Sequence, residues 1–424
     1  MRLRILSALL VLTAGAAAFL LLNDDYPPVA EAEDAYEALL ADRDNPYQAL
    51  LPGEPTGDDS PRRRLIDAHS HLSGFALWSL LQPLMDSQGI DIFINLSGGS
   101  PRRGLTSGFE LMTDSNARVI NLMNIDYDGF GEVAWGETVA AELEIAVTRY
   151  GYAGLKVSKA LGLGLEDYDG SLVAVDDPRL FPIWRKAGEL GVPVFIHTSD
   201  PAAFWEPVTP ENERYEELVA HPGWSFAGGD YPSRETLLTQ RNHLLELFPE
   251  TTFVCVHFGN NPEDLDYIDN LLATYPNAYL DTSARLAEMG RHDPVAVRDF
   301  FDRYQDRILF GTDIAVTWSP SRGHYLMLGS NGEEMPTAAD IPTFYQAHWR
   351  YFETSDTEIA HPSPIQGNWT INAIDLPDEI LEKVYFGNAY RLVVEPWAER
   401  NGLALPFEDG VDSPPDTQPT EDNP

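Results

Sequence analysis

The sequence predicts an α/β protein built as a single (β/α)8 barrel, a TIM barrel, and three observations carry that prediction. Eight short apolar segments recur through the middle of the chain, amphipathic helix patterns lie between them, and several histidines stand where the apolar segments end. Alternating strand and helix signals argue for a parallel sheet. Eight such units close most economically into a barrel. An open, doubly wound sheet is the alternative, but it would need a glycine-rich phosphate turn, and the sequence has none.

The strand candidates in order are LIDAH (65–69), IDIFINL (90–96), ARVINLM (117–123), AGLKV (153–157), VPVFIH (192–197), TFVCVH (252–257), AYLDTS (278–283) and RILFGTD (307–313). After the third, ETVAAELEIAVTRYG spaces Leu143, Ala146, Val147 and Tyr150 on one helix face and stops at a glycine. After the fourth, DDPRLFPIWRKAGELG offers Asp177 as N-cap, Pro178 at the first helical position and Gly191 as the stop. After the sixth, PEDLDYIDNLLATYP repeats the pattern with Leu265, Ile268, Leu272 and Tyr275. Two connections, following strands five and eight, are too long for plain strand-to-helix turns and predict extended loops. Both follow C-terminal strand ends, the face on which barrel enzymes build their sites.

Flanking this unit, the chain divides by composition. Arg2 and Arg4 precede 18 uncharged residues from Ile5 to Leu22, so residues 1–22 read as a signal peptide or an N-terminal membrane anchor. Residues 23–61 are an acidic linker, 62–405 the folded TIM-barrel domain, and 406–424 an acidic, proline-rich tail expected to be disordered. The body of the protein is therefore expected outside the cytoplasm, periplasmic or extracellular, touching membrane only through its N-terminal segment. With 28 basic and 67 acidic residues, the net charge of −39 disfavours nucleic acid and anionic membranes as partners. A small molecule is the expected partner, and the oligomeric state is left open. Any site for a carboxylate must supply its own local cations. The single cysteine, Cys255, excludes an intrachain disulfide and a thiolate zinc cage.

Side chains that bind metals or move protons collect at the strand ends. In LIDAHSHLSG, strand alternation would put Asp67, His69 and His71 on one face. Strand five ends in His197, strand six in His257 and strand eight in Asp313. Four of the ten histidines and an aspartate thus fall on one predicted rim. Imidazoles and a carboxylate collected on one rim suit a divalent cation, zinc first and manganese second.

The motifs DAHSH, GLKV, VFIHTSDP, FVCVHFGN, YLDTSAR and ILFGTD, with the closing LPDEILEKVYFGNAYRL, resemble the amidohydrolase superfamily. Within it they are similar to the amidohydrolase-related (amidohydrolase 2) branch of metal-dependent hydrolases and decarboxylases, over about residues 64–395. The resemblance implies that His69, His71, His197 and Asp313 hold one cation. It further implies that Asp313 and His257 handle protons. Lys156, near the place where some superfamily members carry a carboxylated, metal-bridging lysine, is expected to be a structural or substrate-binding ammonium instead. Trp205, Arg285, Arg322 and His324 are the remaining candidates for substrate contact.

The first functional expectation is a metal-dependent hydrolase that uses activated water on an ester, lactone or amide carbonyl. The alternative on the same fold is a non-oxidative decarboxylase of a small, aromatic carboxylic acid, for which a cation such as Arg285 or Arg322 must face the substrate. A non-catalytic binding barrel is the third reading, and loss of a ligand would favour it.

Overall fold

The computed structural model describes residues 63–72, 78–319, 323–329 and 336–403. The expected leader, linker and acidic tail, and Arg322, lie outside the described residues. All eight predicted strands are present: β1 (Ile66–Leu72), β2 (Ile92–Asn95), β3 (Val119–Asn124), β4 (Gly154–Val157), β5 (Val194–Ile196), β6 (Phe253–Cys255), β7 (Ala278–Asp281) and β8 (Ile308–Leu309). They pair in sequence order, every pair parallel.

Closure involves an element that the sequence reading treated as loop. After β8 the chain runs on through Phe310–Asp313 into β9 (Ile314–Ser319), which pairs parallel with β1 and turns back as β10 (Gly323–Leu328). The Ala68 N–H donates to Phe310 O at 2.9 Å and the Asp313 N–H to His69 O at 2.9 Å, so this continuation joins the last strand to the first. The segment IAVTWS alternates only weakly and follows a strand-ending aspartate, which is why it read as loop. Pairing with β1 makes it a strand. The connection after β5, by contrast, holds short helical turns, including Ala202–Trp205 and Tyr215–Ala220.

Strand alternation sorts the core into two layers. Phe93, Leu155, Val194, Ile196, Phe253, Cys255 and Leu280 pack with helix residues such as Leu143, Trp184 and Leu237. Ile92, Ile94, Phe195, Val254 and Leu309 belong to a separate layer, with Phe386, Val393 and Trp397 of the C-terminal helical segment. The anticipated helix ends are present. Asp177 accepts from the Arg179 N–H, the helix Phe181–Leu190 stops at Gly191 (φ 62°), and the helix Trp135–Tyr150 stops at Gly151 (φ 68°). Left-handed backbone at these stops is where a glycine is needed.

One departure lies in β1. Asp67 pairs with Phe93, on the helix side of the sheet, and the register slips between Asp67 and Ser70. Asp67 therefore does not share a face with His69, as plain alternation predicts. A one-residue slip reverses the side on which the following residues emerge.

The helix Ile341–Glu353 covers β8 with an aromatic cluster of Phe310, Phe344, Tyr345 and Trp349 around His348. The His348 Nδ1–H donates to Phe344 O at 2.8 Å, and burial pushes its pKa down to about 4. The unfolded value is near 6.5, so unfolding takes up a proton between those values, and stability falls as pH drops through that window. Chemical denaturation should show His348→Asn losing about 2 kcal/mol less than wild type between pH 7 and pH 5. Equal losses in the two proteins would remove His348 from the acid response.

Candidate metal centre

The strand ends β1, β4, β5, β6, β7 and β8 converge on one cluster of polar side chains. His69 is fully buried; its Nδ1–H donates to Asp281 Oδ2 at 2.7 Å, with Ser283 Oγ 2.8 Å away. This leaves His69 Nε2 as a lone pair with no hydrogen-bond partner in a buried position. Asp313 Oδ1 lies 3.4 Å from that nitrogen and 3.3 Å from His71 Nε2. Two ligands held about 2.0–2.1 Å from a tetrahedral cation stand roughly 3.3 Å apart, so the spacing fits. A ligating histidine whose other nitrogen is fixed by a carboxylate is also the usual supporting arrangement at metal sites. His69, His71 and Asp313 together therefore fit a divalent cation.

His197 stands differently. Its Nε2 faces Ser199 O at 3.0 Å and Asp200 Oδ1 at 3.4 Å, and it is not among the three donors that converge. Because a carbonyl only accepts, Nε2 carries the proton and Nδ1 carries the lone pair. Asp200 is bound in turn by Lys159 Nζ at 2.6 Å. Burial pushes the Asp200 carboxyl up, but Lys159 and His197 outweigh it and hold it well below the usual carboxylate range.

His257 closes the cluster, its ring 4.4 Å from that of His197 and 4.8 Å from that of His69. The Nδ1–H donates to Ser283 O at 3.0 Å, which leaves Nε2 as an acceptor. Burial, with His197, Arg285 and Lys156 nearby, keeps this imidazole neutral, its pKa well below 6.5. The Asp313 carboxyl is also pushed up by burial, but His69, His71 and Lys156 overcome this and hold it well below the ordinary range.

Two further cations face this region. Lys156 Nζ is buried without a hydrogen-bond partner, and burial lowers its pKa to about 8 despite the neighbouring Asp281 and Asp313. Arg285 is buried, donates from Nη1 to Ala284 O at 2.7 Å and leaves Nε unpartnered. Trp205 is held within its own loop: its indole N–H donates to Pro232 O at 3.0 Å and its ring packs 4.7 Å from Phe226. His324 falls in β10, with its side chain outside the described residues. Cys255 is buried among the helix-side residues.

Backbone strain collects on the same rim. Ser199, His257, Phe258, Asn260, Ala284 and Asp313, just past β5 to β8, have φ values between 52° and 82°. Non-glycine residues in this region cost on the order of 1 kcal/mol each and persist where surrounding contacts over-determine them.

A family model described as amidohydrolase matches residues 108–393, more than half of the chain. The chain belongs to the amidohydrolase family. No curated protein sequence matches it. Among solved structures, this amidohydrolase is similar to an uncharacterised TIM-barrel protein from Bordetella bronchiseptica (17% identity, TM-score 0.45, covering 79% of this chain and 99% of that one). It is similar also to a dihydroxybenzoic acid decarboxylase from Polaromonas with bound manganese and 2-nitroresorcinol (16%, 0.48, 80% and 99%). A third is 4-oxalomesaconate hydratase from Rhodopseudomonas palustris (16%, 0.43, 80% and 98%). Within the matched family, this chain holds a His/His/Asp group that fits a divalent cation.

Asp281 and Ser283 are the site residues that sequence reasoning missed. Both lie in YLDTSAR, a motif noted for its resemblance in which only Arg285 was given a role. Asp281 ends β7 at the level where the histidines end their strands, and that position was the available signal.

Proposed function

We propose that this amidohydrolase is an exported hydrolase in which His69, His71 and Asp313, with His197 as a fourth ligand, hold one zinc or manganese ion. The observation that carries this reading is the buried, unpartnered His69 Nε2 beside Asp313 Oδ1, with Asp281 fixing the opposite nitrogen. When bound, such a cation polarises a carbonyl and makes water acidic enough to act as a nucleophile near neutral pH. Asp313, kept ionised, orients the attacking water. His257 Nε2, a neutral acceptor, takes the water's proton and returns it to the leaving oxygen or nitrogen. The substrate class on this reading is an ester, lactone or amide of a small organic acid.

The second reading, decarboxylation of a small carboxylic acid, is favoured by one specific observation. Lys156 Nζ and Arg285 Nε are buried cationic donors without partners, in a chain of net charge −39. They suit a substrate carboxylate. The carboxylate that hydrolysis releases would use the same donors, so they do not exclude the first reading.

The test is a screen of the manganese- and zinc-loaded protein against esters, lactones, amides and aromatic carboxylic acids. Formation of the acid, alcohol or amine products and carbon dioxide release are followed in parallel. Hydrolysis without gas supports the first reading. Carbon dioxide from an aromatic acid replaces it with the second, and silence across all classes favours a binding barrel.

A further inference from the structure

We propose that Asp67, Thr312 and Tyr345 form a buried clamp that positions the Asp313 carboxylate for cation binding. This rests on the reading of Asp313 as a ligand. Asp313 has φ 64°, a left-handed conformation that aspartate tolerates better than most residues but that neighbouring contacts must hold.

Those contacts run along three consecutive residues. The Thr312 N–H donates to Asp67 Oδ1 at 3.0 Å, and the Thr312 hydroxyl donates to Asp67 Oδ2 at 2.5 Å. The Asp313 N–H donates to His69 O at 2.9 Å, and the Ile314 N–H to Thr312 Oγ1 at 3.2 Å. The kink is thus fixed before, at and after the ligand.

Asp67 is itself held. The Tyr345 hydroxyl, from the helix Ile341–Glu353, donates to its Oδ2 at 2.8 Å, and the His69 N–H to its Oδ1 at 3.2 Å. Asp67 and Thr312 are completely buried, as is Tyr345, so water cannot replace these bonds. Because Asp67 emerges on the helix side of β1, it touches no substrate and ligates nothing. Its role is to tie an outer helix and the β8 end to the residues on either side of Asp313.

The experiment compares Thr312→Val, Thr312→Ser and Tyr345→Phe with wild type, with Asp313→Asn as the reference for a lost ligand. Each protein is titrated with Mn2+ in competition with a fluorescent chelator, and its cobalt(II) derivative is examined by visible spectroscopy. Thr312→Val, which keeps shape but loses both hydroxyl bonds, should weaken Mn2+ affinity ten- to a hundredfold and alter the cobalt bands. Thr312→Ser should restore both, and Tyr345→Phe should weaken affinity several-fold. Melting temperature is recorded alongside. If Thr312→Val melts earlier yet matches wild type in affinity and spectrum while Asp313→Asn binds poorly, the clamp is structural only and the proposal is overturned. If Asp313→Asn binds Mn2+ as tightly as wild type, the ligand reading itself fails and the clamp falls with it.

Discussion

After passage through a desalting column, wild-type protein loaded with zinc or manganese retains about one equivalent of metal, and His69→Ala/His71→Ala retains none. Elemental analysis reads this directly. Removing His69 also takes one hydrogen bond from the buried Asp281 carboxylate, which keeps those from the Ser283 hydroxyl and the His257 N–H, and losing a bond to a charged group costs about 1.5–3 kcal/mol. The single variant His71→Ala separates the two effects, because His71 is only half-buried and its Nδ1 partner is Ser97. Metal loss in His71→Ala with a near-normal melting temperature assigns the loss to coordination. Close to two equivalents in wild type would instead make Lys156 a carboxylated bridge. Full metal retention in the double variant would dismiss the His69/His71/Asp313 site.

His257→Asn is the second large effect. It should keep its metal and lower kcat by about 10²–10⁴-fold, the usual contribution of a positioned proton-transfer group. Asparagine is chosen because it tolerates the left-handed backbone at this position (φ 55°) and can still donate to Ser283 O. Loss of the acidic limb of the pH–rate profile should accompany the drop, since that limb reports protonation of His257. An unchanged kcat with intact metal would remove His257 from the chemistry and leave Asp313 as the base. Burial alone does not decide between these outcomes, because His348 is also a buried, neutral imidazole yet is enclosed in an aromatic cluster away from the rim.

The strands and their order were legible because the signal is local. Each is a short apolar run, and the caps at Asp177, Gly151 and Gly191 follow from backbone chemistry that neighbouring residues determine. The histidine positions were legible for the same reason, since a strand end can be read from where its apolar run stops. The hairpin β9–β10 was not legible, because its pairing partner is β1, more than 240 residues earlier in the chain. Nor was the face of Asp67: strict alternation puts it with His69, and only pairing with β2 reveals the slip.

What the sequence by itself determined was an eight-fold α/β barrel with metal-ligating residue types at its strand ends. Which atoms face one another was decided by the tertiary structure alone. Asp281 fixes His69 across 212 residues of chain, Thr312 reaches Asp67 across 245, and Tyr345 reaches it across 278. Propensity and periodicity act over a few residues and say nothing at such separations. Barrel closure brings these groups together, and burial then gives each contact its consequence. At an atom buried from water, a donor or lone pair is satisfied by a neighbour or is left, like His69 Nε2, for a ligand.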